Sequence, residues 1–140
     1  MKEILLPVAG TYIIVIEVGA RQKLEIGKIG MVNIERGYYF YVGSALGPGG
    51  VNARVSRHLK RIKTKHWHID FLRNIGSVVT IVVSYSKKKK ECKWASRLKA
   101  SPCLSTPISG FGASDCACFS HLFFSKNNID INLLRGILKE

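Results

Sequence analysis

Residues 37–61 read GYYFYVGSALGPGGVNARVSRHLKR, and this stretch decides the fold because it passes from a strand through a turn into a helix. Aromatic residues dominate residues 38–43, which is typical of a strand, and alternation places Tyr39 and Tyr41 on one face. Proline and glycines then interrupt residues 44–50, so the strand cannot continue. The stretch therefore predicts a strand, a flexible connector and a helix in direct succession.

The predicted helix, over residues 51–62, carries an apolar stripe and a basic edge. At about 100° per residue, one narrow stripe collects four apolar side chains, those of Val51, Val55, Leu59 and Ile62. His58 projects within this stripe, Arg54 lies along its edge, and Arg57 turns toward solvent. The pattern predicts that the helix packs on a sheet with Arg54 and His58 on one side.

Two further strands and a ribbon complete the predicted sheet region. Residues 10–18 and 75–85 are rich in β-branched residues, which indicates mostly buried strands. Residues 23–35 alternate apolar and polar residues on both sides of a glycine turn, which predicts a two-stranded ribbon. We therefore predict an α+β fold: a small, mainly antiparallel three-stranded central sheet flanked by helices, with an extra β-ribbon after the first strand.

The second half of the chain begins with a predicted helix over residues 87–100, capped by Ser86. Four consecutive lysines would then occupy its first turn and oppose the helix dipole. Glu91 falls on the packed side of this helix, an unusual place for a solvated acid. The remaining segments are a loop, an edge strand and an amphipathic helix, over residues 101–120, 122–124 and 128–138.

The composition points to a polyanionic partner. The chain has 22 lysines and arginines against nine carboxylates, a net charge of +13, and such an excess attracts nucleic acid. DNA is the first partner to test, and RNA remains open. Two alternatives to nucleic-acid binding are that the lysines only keep the protein soluble, or that the protein is surrounded by acidic proteins. So few carboxylates argue against a two-metal site lined by several acids.

A length of 140 residues suits one domain. We take residues 1–140 as a single domain with a core over about residues 10–100 and a C-terminal extension over residues 101–140. No apolar run approaches the roughly 20 residues that cross a bilayer, and the first residues lack the organisation of a signal peptide. We expect a cytoplasmic protein with no membrane partner.

Two tripeptides stand at strand termini. Gly10-Thr11-Tyr12 begins the first predicted strand, and Tyr41-Val42-Gly43 ends a later one. Followed by Arg54 and His58 on a helix, they resemble the GIY-YIG nuclease superfamily over about residues 10–98. Thr11 replaces the usual isoleucine, and the ribbon separates the two tripeptides. The chain resembles in particular a small uncharacterised branch, sometimes attached to endonuclease III type DNA glycosylases, which shares strings at residues 38–45, 66–72 and 110–123.

The resemblance implies a divalent-metal-dependent DNA endonuclease that hydrolyses phosphodiesters with one Mg²⁺ or Mn²⁺ ion. Tyr12 would be the general base, Arg54 would clamp the phosphate with its planar fork, and Tyr41 and His58 would orient water or phosphate. Glu91 would hold the metal largely through its waters. We expect the positive charge of Arg54, nearby lysines and the metal to lower the pKa of Tyr12 from about 10.

Further basic residues are expected to contact nucleic acid, namely Arg57, Arg61, Lys65, Lys87 and Lys88. The resemblance also implies a DNA-repair glycosylase as a partner. The alternative is a noncatalytic nucleic-acid-binding module on the same scaffold. In that module the tyrosines are ordinary strand aromatics, His58 is a satisfied core histidine and Glu91 only neutralises the neighbouring lysines.

The cysteines raise a third hypothesis, a zinc-stabilised interaction protein. The candidate zinc ligands are Cys116, Cys118 and His121, but a CxC spacing with one histidine lacks the paired CxxC geometry of structural sites. Asp115 or Cys103 would have to complete the set. A second group is formed by His66, His68 and Asp70. Residues two apart share a face only on a strand, so packing and hydrogen bonding suit this group better than metal.

Overall fold

The computed structural model describes residues 4–60, 67–113 and 117–139, and it has an α+β fold. The main sheet is antiparallel with strand order β5-β1-β4-β6, and its strands are β1 Gly10–Val18, β4 Gly37–Ala45, β5 Ser77–Tyr85 and β6 Leu122–Ser125. The ribbon is β2 Gln22–Ile26 and β3 Gly30–Ile34. The helices are α1 Gly50–Leu59, α2 His68–Arg73, α3 Glu91–Ala100 and α4 Ile131–Leu138.

The predicted fold class is confirmed, including the ribbon that follows the first strand. The edge strand predicted at residues 122–124 forms as β6 and extends the three central strands to four. It pairs with β4, and Tyr41 lies opposite Leu122. This pairing matters for function because it draws the segment before β6 toward the end of β4.

Alternation along β1 and β4 gives the sheet two apolar faces, each covered by helices. One face packs against α1 and α2 with the side chains of Tyr12, Ile14, Ile16, Tyr39 and Tyr41. The other face packs against α3 and α4 with the side chains of Ile13, Val15, Phe40 and Val42. Tyr39 and Tyr41 thus share a face as predicted, and α1 packs on that face through Val51 and Val55.

The helix predicted from residue 87 begins instead at Glu91, so that prediction is wrong by one turn. Ser86 accepts a hydrogen bond from the backbone N–H of Lys88 and forms a local turn rather than a helix cap. Three of the four lysines thereby stay outside the helix and Lys90 takes the N-cap position, while a carboxylate takes the first helical position, where the dipole favours it. The last helix also begins later than predicted, at Ile131 after the Asp130 cap.

None of the helices in the described parts of the chain combines the length and the apolar composition that a membrane crossing requires. Several residues singled out from the sequence lie outside the described residues, namely Arg61, Ile62, Lys65, His66, Asp115 and Cys116.

Candidate functional site

A cleft of about 540 Å³ lies where β1 begins, β4 ends and α3 starts. Four of the five residues expected to act in the reaction line it, which are Tyr12, Tyr41, Arg54 and Glu91. They come from two strands and two helices on opposite faces of the sheet, so only the fold brings them together.

Tyr12 owes its position to a glycine across the sheet. In the antiparallel register Tyr12 lies opposite Gly43, and the phenol ring and hydroxyl of Tyr12 fill the space that a Cβ at Gly43 would take. Gly112 has a similar role beside Tyr41: its φ is +67°, and a Cβ there would stand 2.8 Å from the Tyr41 ring. Both tyrosine rings therefore require a glycine neighbour.

His58 lies behind Tyr12 rather than in the cleft. The His58 Nε2 atom is 2.9 Å from the Tyr12 hydroxyl, and the side chain is buried. Burial lowers the pKa of His58 to about 4, so the ring is neutral at pH 7. That His58 orients water or phosphate stays a prediction; among the described residues, His58 reaches the cleft through the Tyr12 hydroxyl.

The His58 tautomer follows from its second nitrogen. The Nδ1 atom has no hydrogen-bond partner among the described residues, and a buried lone pair without a donor is tolerated better than a buried N–H without an acceptor. The tautomer that carries its proton on Nε2 fits these contacts, and in it Nε2–H donates to the Tyr12 oxygen. Tyr12 keeps its own proton for another acceptor.

Among the protein groups around Tyr12, burial outweighs the cations that were expected to lower its pKa. Burial raises the pKa of Tyr12 well above 10, and the charge of Arg54 and a hydrogen bond from it act in the opposite direction without reversing the shift. Burial also raises the pKa of Tyr41, with the Glu91 charge adding to it. The physical reason is that removal of a phenolate from water outweighs one nearby guanidinium.

Arg54 is held in place from two sides. One Nη atom donates to the backbone carbonyl of Ser44 at 3.1 Å, and the guanidinium carbon lies 4.3 Å from the centre of the Trp67 ring. Stacking on an aromatic face and hydrogen bonding to a carbonyl fix the plane of the fork. The remaining N–H groups can therefore face a phosphate without further ordering.

Glu91 is fixed by one contact at each carboxylate oxygen. The Ser44 hydroxyl donates to Oε1 at 2.6 Å, and His121 Nδ1 lies 2.6 Å from Oε2. Burial alone would raise the pKa of this carboxyl group, but hydrogen bonds from His121 and Ser44 outweigh burial and leave the pKa below its usual value. Glu91 is therefore an anchored carboxylate at the edge of the cleft.

The surroundings of Glu91 suit a hydrated divalent cation. Of the described residues that line the cleft, Glu91 is the single carboxylate, with Ser44 and Tyr41 as neighbouring hydroxyls. Each carboxylate oxygen can accept a second contact beyond the one it has. Mg²⁺ commonly binds through one or two carboxylates and keeps several waters, so this donor set fits it.

A family model, described as a domain of unknown function, DUF123, matches residues 11–137. The chain belongs to the DUF123 family. No match was found among the curated proteins or the solved structures. The range matched to the DUF123 model includes all of the residues that line the cleft, from Tyr12 to His121.

Of the basic residues expected to bind nucleic acid, Arg57 is already engaged in this DUF123 domain. Its two Nη atoms each lie 3.1 Å from an oxygen of the buried Asp70 carboxylate. The expectation that Arg57 turns to solvent is therefore wrong, and the pair joins α1 to α2. Asp70 also accepts from the Trp67 backbone N–H at 2.9 Å, so Asp70 has a structural role, as the sequence favoured.

The lysines before α3 divide between two grooves. Lys89 lines the cleft and also a neighbouring groove that contains Lys88, whereas Lys87 is exposed in the same turn. Arg61 and Lys65, the other two predicted contacts, are outside the described residues.

The sequence analysis missed Ser44 and Trp67 as cleft residues of the DUF123 domain, and it gave His68, Lys89 and His121 no role in the cleft. His68 Nδ1 accepts from the Gly112 backbone N–H at 2.7 Å, which leaves the proton of the neutral ring on Nε2. Burial lowers the pKa of His68, which favours that neutral ring. His121 was singled out as a zinc ligand, but its contact with Glu91 has no signal in the sequence because 30 residues separate the two positions.

Proposed function

We propose that this DUF123 domain is a divalent-metal-dependent DNA endonuclease of the GIY-YIG type, which hydrolyses phosphodiester bonds. The observation that carries the proposal is the convergence of Tyr12, Tyr41, Arg54 and Glu91 on one cleft. A phosphodiester needs its charge neutralised, a water activated and its leaving oxygen assisted. The four side chains belong to the types that perform these tasks.

The chain's own residues divide the work as follows. Arg54, stacked on Trp67, binds two non-bridging phosphate oxygens through its fork. Lys89 adds positive charge on the same side of the substrate. Glu91, held by Ser44 and His121, provides the carboxylate that anchors a metal ion. The excess of basic residues in the chain attracts the polyanion to the protein.

Tyr12 is the proposed proton acceptor. The His58 Nε2–H and the Arg54 guanidinium both donate to its oxygen, and two such donors stabilise a phenolate once the proton leaves. When bound, Mg²⁺ or Mn²⁺ would add positive charge that lowers the pKa of Tyr12 and neutralises the phosphoryl oxygens. Tyr12 then takes the proton of the attacking water, and Tyr41 holds that water in place.

A second candidate function is a noncatalytic nucleic-acid-binding module. The observation that favours it is the complete burial of Tyr12 together with its raised pKa, because a buried, protonated phenol is a poor base. This candidate shares the basic surface with the first but gives Glu91 no role in the reaction.

The deciding experiment compares the wild-type chain with Glu91→Gln on branched, nicked and single-stranded DNA in Mg²⁺ or Mn²⁺. The nuclease proposal expects metal-dependent cleavage that Glu91→Gln lowers by about a thousandfold, since charge stabilisation by a metal contributes several kcal/mol. Glu25→Gln, which removes an exposed carboxylate of the ribbon, is the matched control and should cleave normally. Salt-dependent binding without cleavage by any of these proteins would establish the noncatalytic module instead.

A further inference from the structure

A cluster of sulfur and nitrogen donors lies beside the cleft. Cys92, Cys118 and His121 each offer one ligand atom, and these three atoms lie within 4.8 Å of one another. Cys92 is the second residue of α3, and the other two precede or adjoin β6. The sequence indicated Cys118 and His121 but paired them with Cys116, which lies outside the described residues, and gave no sign of Cys92.

We propose that Cys92, Cys118 and His121 bind one Zn²⁺ ion, and among the described residues these three are its protein ligands. Two thiolates and an imidazole form a donor set that selects zinc over the oxygen-seeking Mg²⁺ and Mn²⁺. Three protein ligands with one open position is an arrangement that zinc sites adopt when solvent or substrate also binds. The inference goes beyond the proposed nuclease function and does not depend on it.

The distances need only a small contraction. With Zn–S near 2.3 Å and Zn–N near 2.0 Å, the ligand atoms of a tetrahedral site lie about 3.5 Å apart. The atoms of this cluster, which lie within 4.8 Å of one another, are therefore at most about 1.3 Å too far apart. Cys92 is exposed in the first turn of its helix, so a rotation of its side chain can supply this movement.

His121 is held by backbone hydrogen bonds, and Cys118 is held by packing. The His121 N–H donates to the Phe111 carbonyl at 2.8 Å, and the His121 carbonyl accepts from the Val42 N–H at 2.9 Å. Cys118 packs partly buried against the apolar cluster beneath α3 and α4. Two preplaced ligands reduce the ordering cost of binding, and the third closes onto the metal.

Glu91 supplies the outer support that metal-binding histidines need. Its Oε2 atom lies 2.6 Å from His121 Nδ1, and a carboxylate beside the imidazole orients a ligating histidine and raises its basicity. Cys92 and His121 both line the cleft, which places the proposed ion at the cleft wall. The zinc ion would therefore be in reach of the same phosphate or water that the cleft binds.

Zinc uptake by the reduced, metal-stripped chain tests the proposal without any measurement of cleavage. A titration against a chromophoric chelator should show one tight Zn²⁺ per chain, and Co²⁺ in its place should give thiolate-to-cobalt charge-transfer absorption. Cys92→Ser and Cys118→Ser should each weaken zinc binding by about 100-fold or more, because even outer partners of a metal ligand contribute roughly 10 to 100-fold. Circular dichroism of each variant separates loss of a ligand from loss of the fold.

Cys103→Ser is the matched control, since Cys103 is also an exposed free cysteine but lies outside the cluster. It should bind zinc as the wild type does. Three results would overturn the proposal: less than stoichiometric zinc in the reduced chain, equal affinities for Cys92→Ser and Cys103→Ser, or cobalt spectra without thiolate bands.

Discussion

The hydroxyl of Tyr12 lies over Gly43, its partner in the pairing of β1 with β4. This relationship gives a physical reason for the two tripeptides that the sequence displays, since the tyrosine of one requires the glycine of the other. The strand pairing, the ring position and the floor of the cleft are thus one feature of the fold. A change at either residue should affect both stability and the site.

We expect Gly43→Ala to lower the free energy of unfolding by about 1–3 kcal/mol, the usual range for an overpacked core position. The added methyl group collides with the Tyr12 ring, which cannot move far because it is buried. Urea unfolding measures the change. Gly19→Ala is the control, since a Cβ there meets nothing within 4 Å, and an equal loss in both variants would contradict the steric argument.

The strands and half of the site follow from local sequence. Runs of β-branched and aromatic residues predict the strands, and the positions of Tyr12, Tyr41 and Arg54 follow from alternation and helical periodicity. The start of α3 does not follow, because helix propensity over residues 87–90 favours a longer helix. The helix instead begins at Glu91, directly after the Lys90 N-cap, which places a carboxylate where the helix dipole favours it.

The other half of the site depends on tertiary pairing that no local pattern encodes. Glu91 contacts Ser44 because α3 packs on the sheet face that carries Phe40 and Val42. Glu91 contacts His121 because β6, which follows His121, pairs with β4. The raised pKa of Tyr12 likewise depends on how deeply the folded structure buries its side chain. Sequence alone suggested a lowered pKa from nearby cations, whereas burial makes the larger contribution.

Tyr12→Phe should remove the proposed proton acceptor and keep the fold. We expect DNA cleavage to fall by about 100-fold or more, the usual contribution of general base catalysis, and stability to fall by only about 1–2 kcal/mol for the lost contact with His58. Tyr39→Phe is the matched control. Its hydroxyl donates to the Glu35 carbonyl at 2.8 Å, away from the cleft, so its cleavage rate should stay at the wild-type value.

The buried His58 predicts a pH dependence of stability. Its pKa is about 4 in the folded protein against 6.5 for the unperturbed group, so between these values the unfolded chain binds a proton that the folded chain does not. The free energy of unfolding therefore rises with pH through this window. The contribution is complete above about pH 6.5, and about 3 kcal/mol of it is lost by about pH 4.

Urea unfolding across that window should show this slope in the wild type and a smaller slope in His58→Gln. Some slope will remain in the variant, because burial also lowers the pKa of His68. Identical slopes in the two proteins would show that His58 is not held neutral by burial.

Arg54→Lys should separate charge from shape at the phosphate clamp. Lysine keeps the positive charge but loses the planar fork and the stacking on Trp67. For Arg54→Lys we expect the cleavage rate to fall by about tenfold or more, with little change in the salt dependence of DNA binding. Arg54→Ala should cleave more slowly still, and its DNA binding should depend less on salt. Lys60, an exposed residue next to α1 that does not line the cleft, provides a control through Lys60→Gln. Full activity in Arg54→Lys would mean that only charge matters.

We expect the nucleic acid to extend from the cleft into the neighbouring groove and to bind there. Its basic residues include Lys88 and Arg135, and it shares Lys89 with the cleft. Each phosphate contact to duplex DNA contributes about 0.9 to the slope of log affinity against log salt. Replacing Lys88 and Arg135 by glutamine together should therefore reduce the slope by about two, measured by fluorescence anisotropy in metal-free buffer.

The control is the double variant Lys23→Gln with Lys28→Gln, which removes the same charge from the ribbon, and the ribbon borders neither groove. If that control reduces the slope equally, binding depends on net charge alone and the groove has no special part in it.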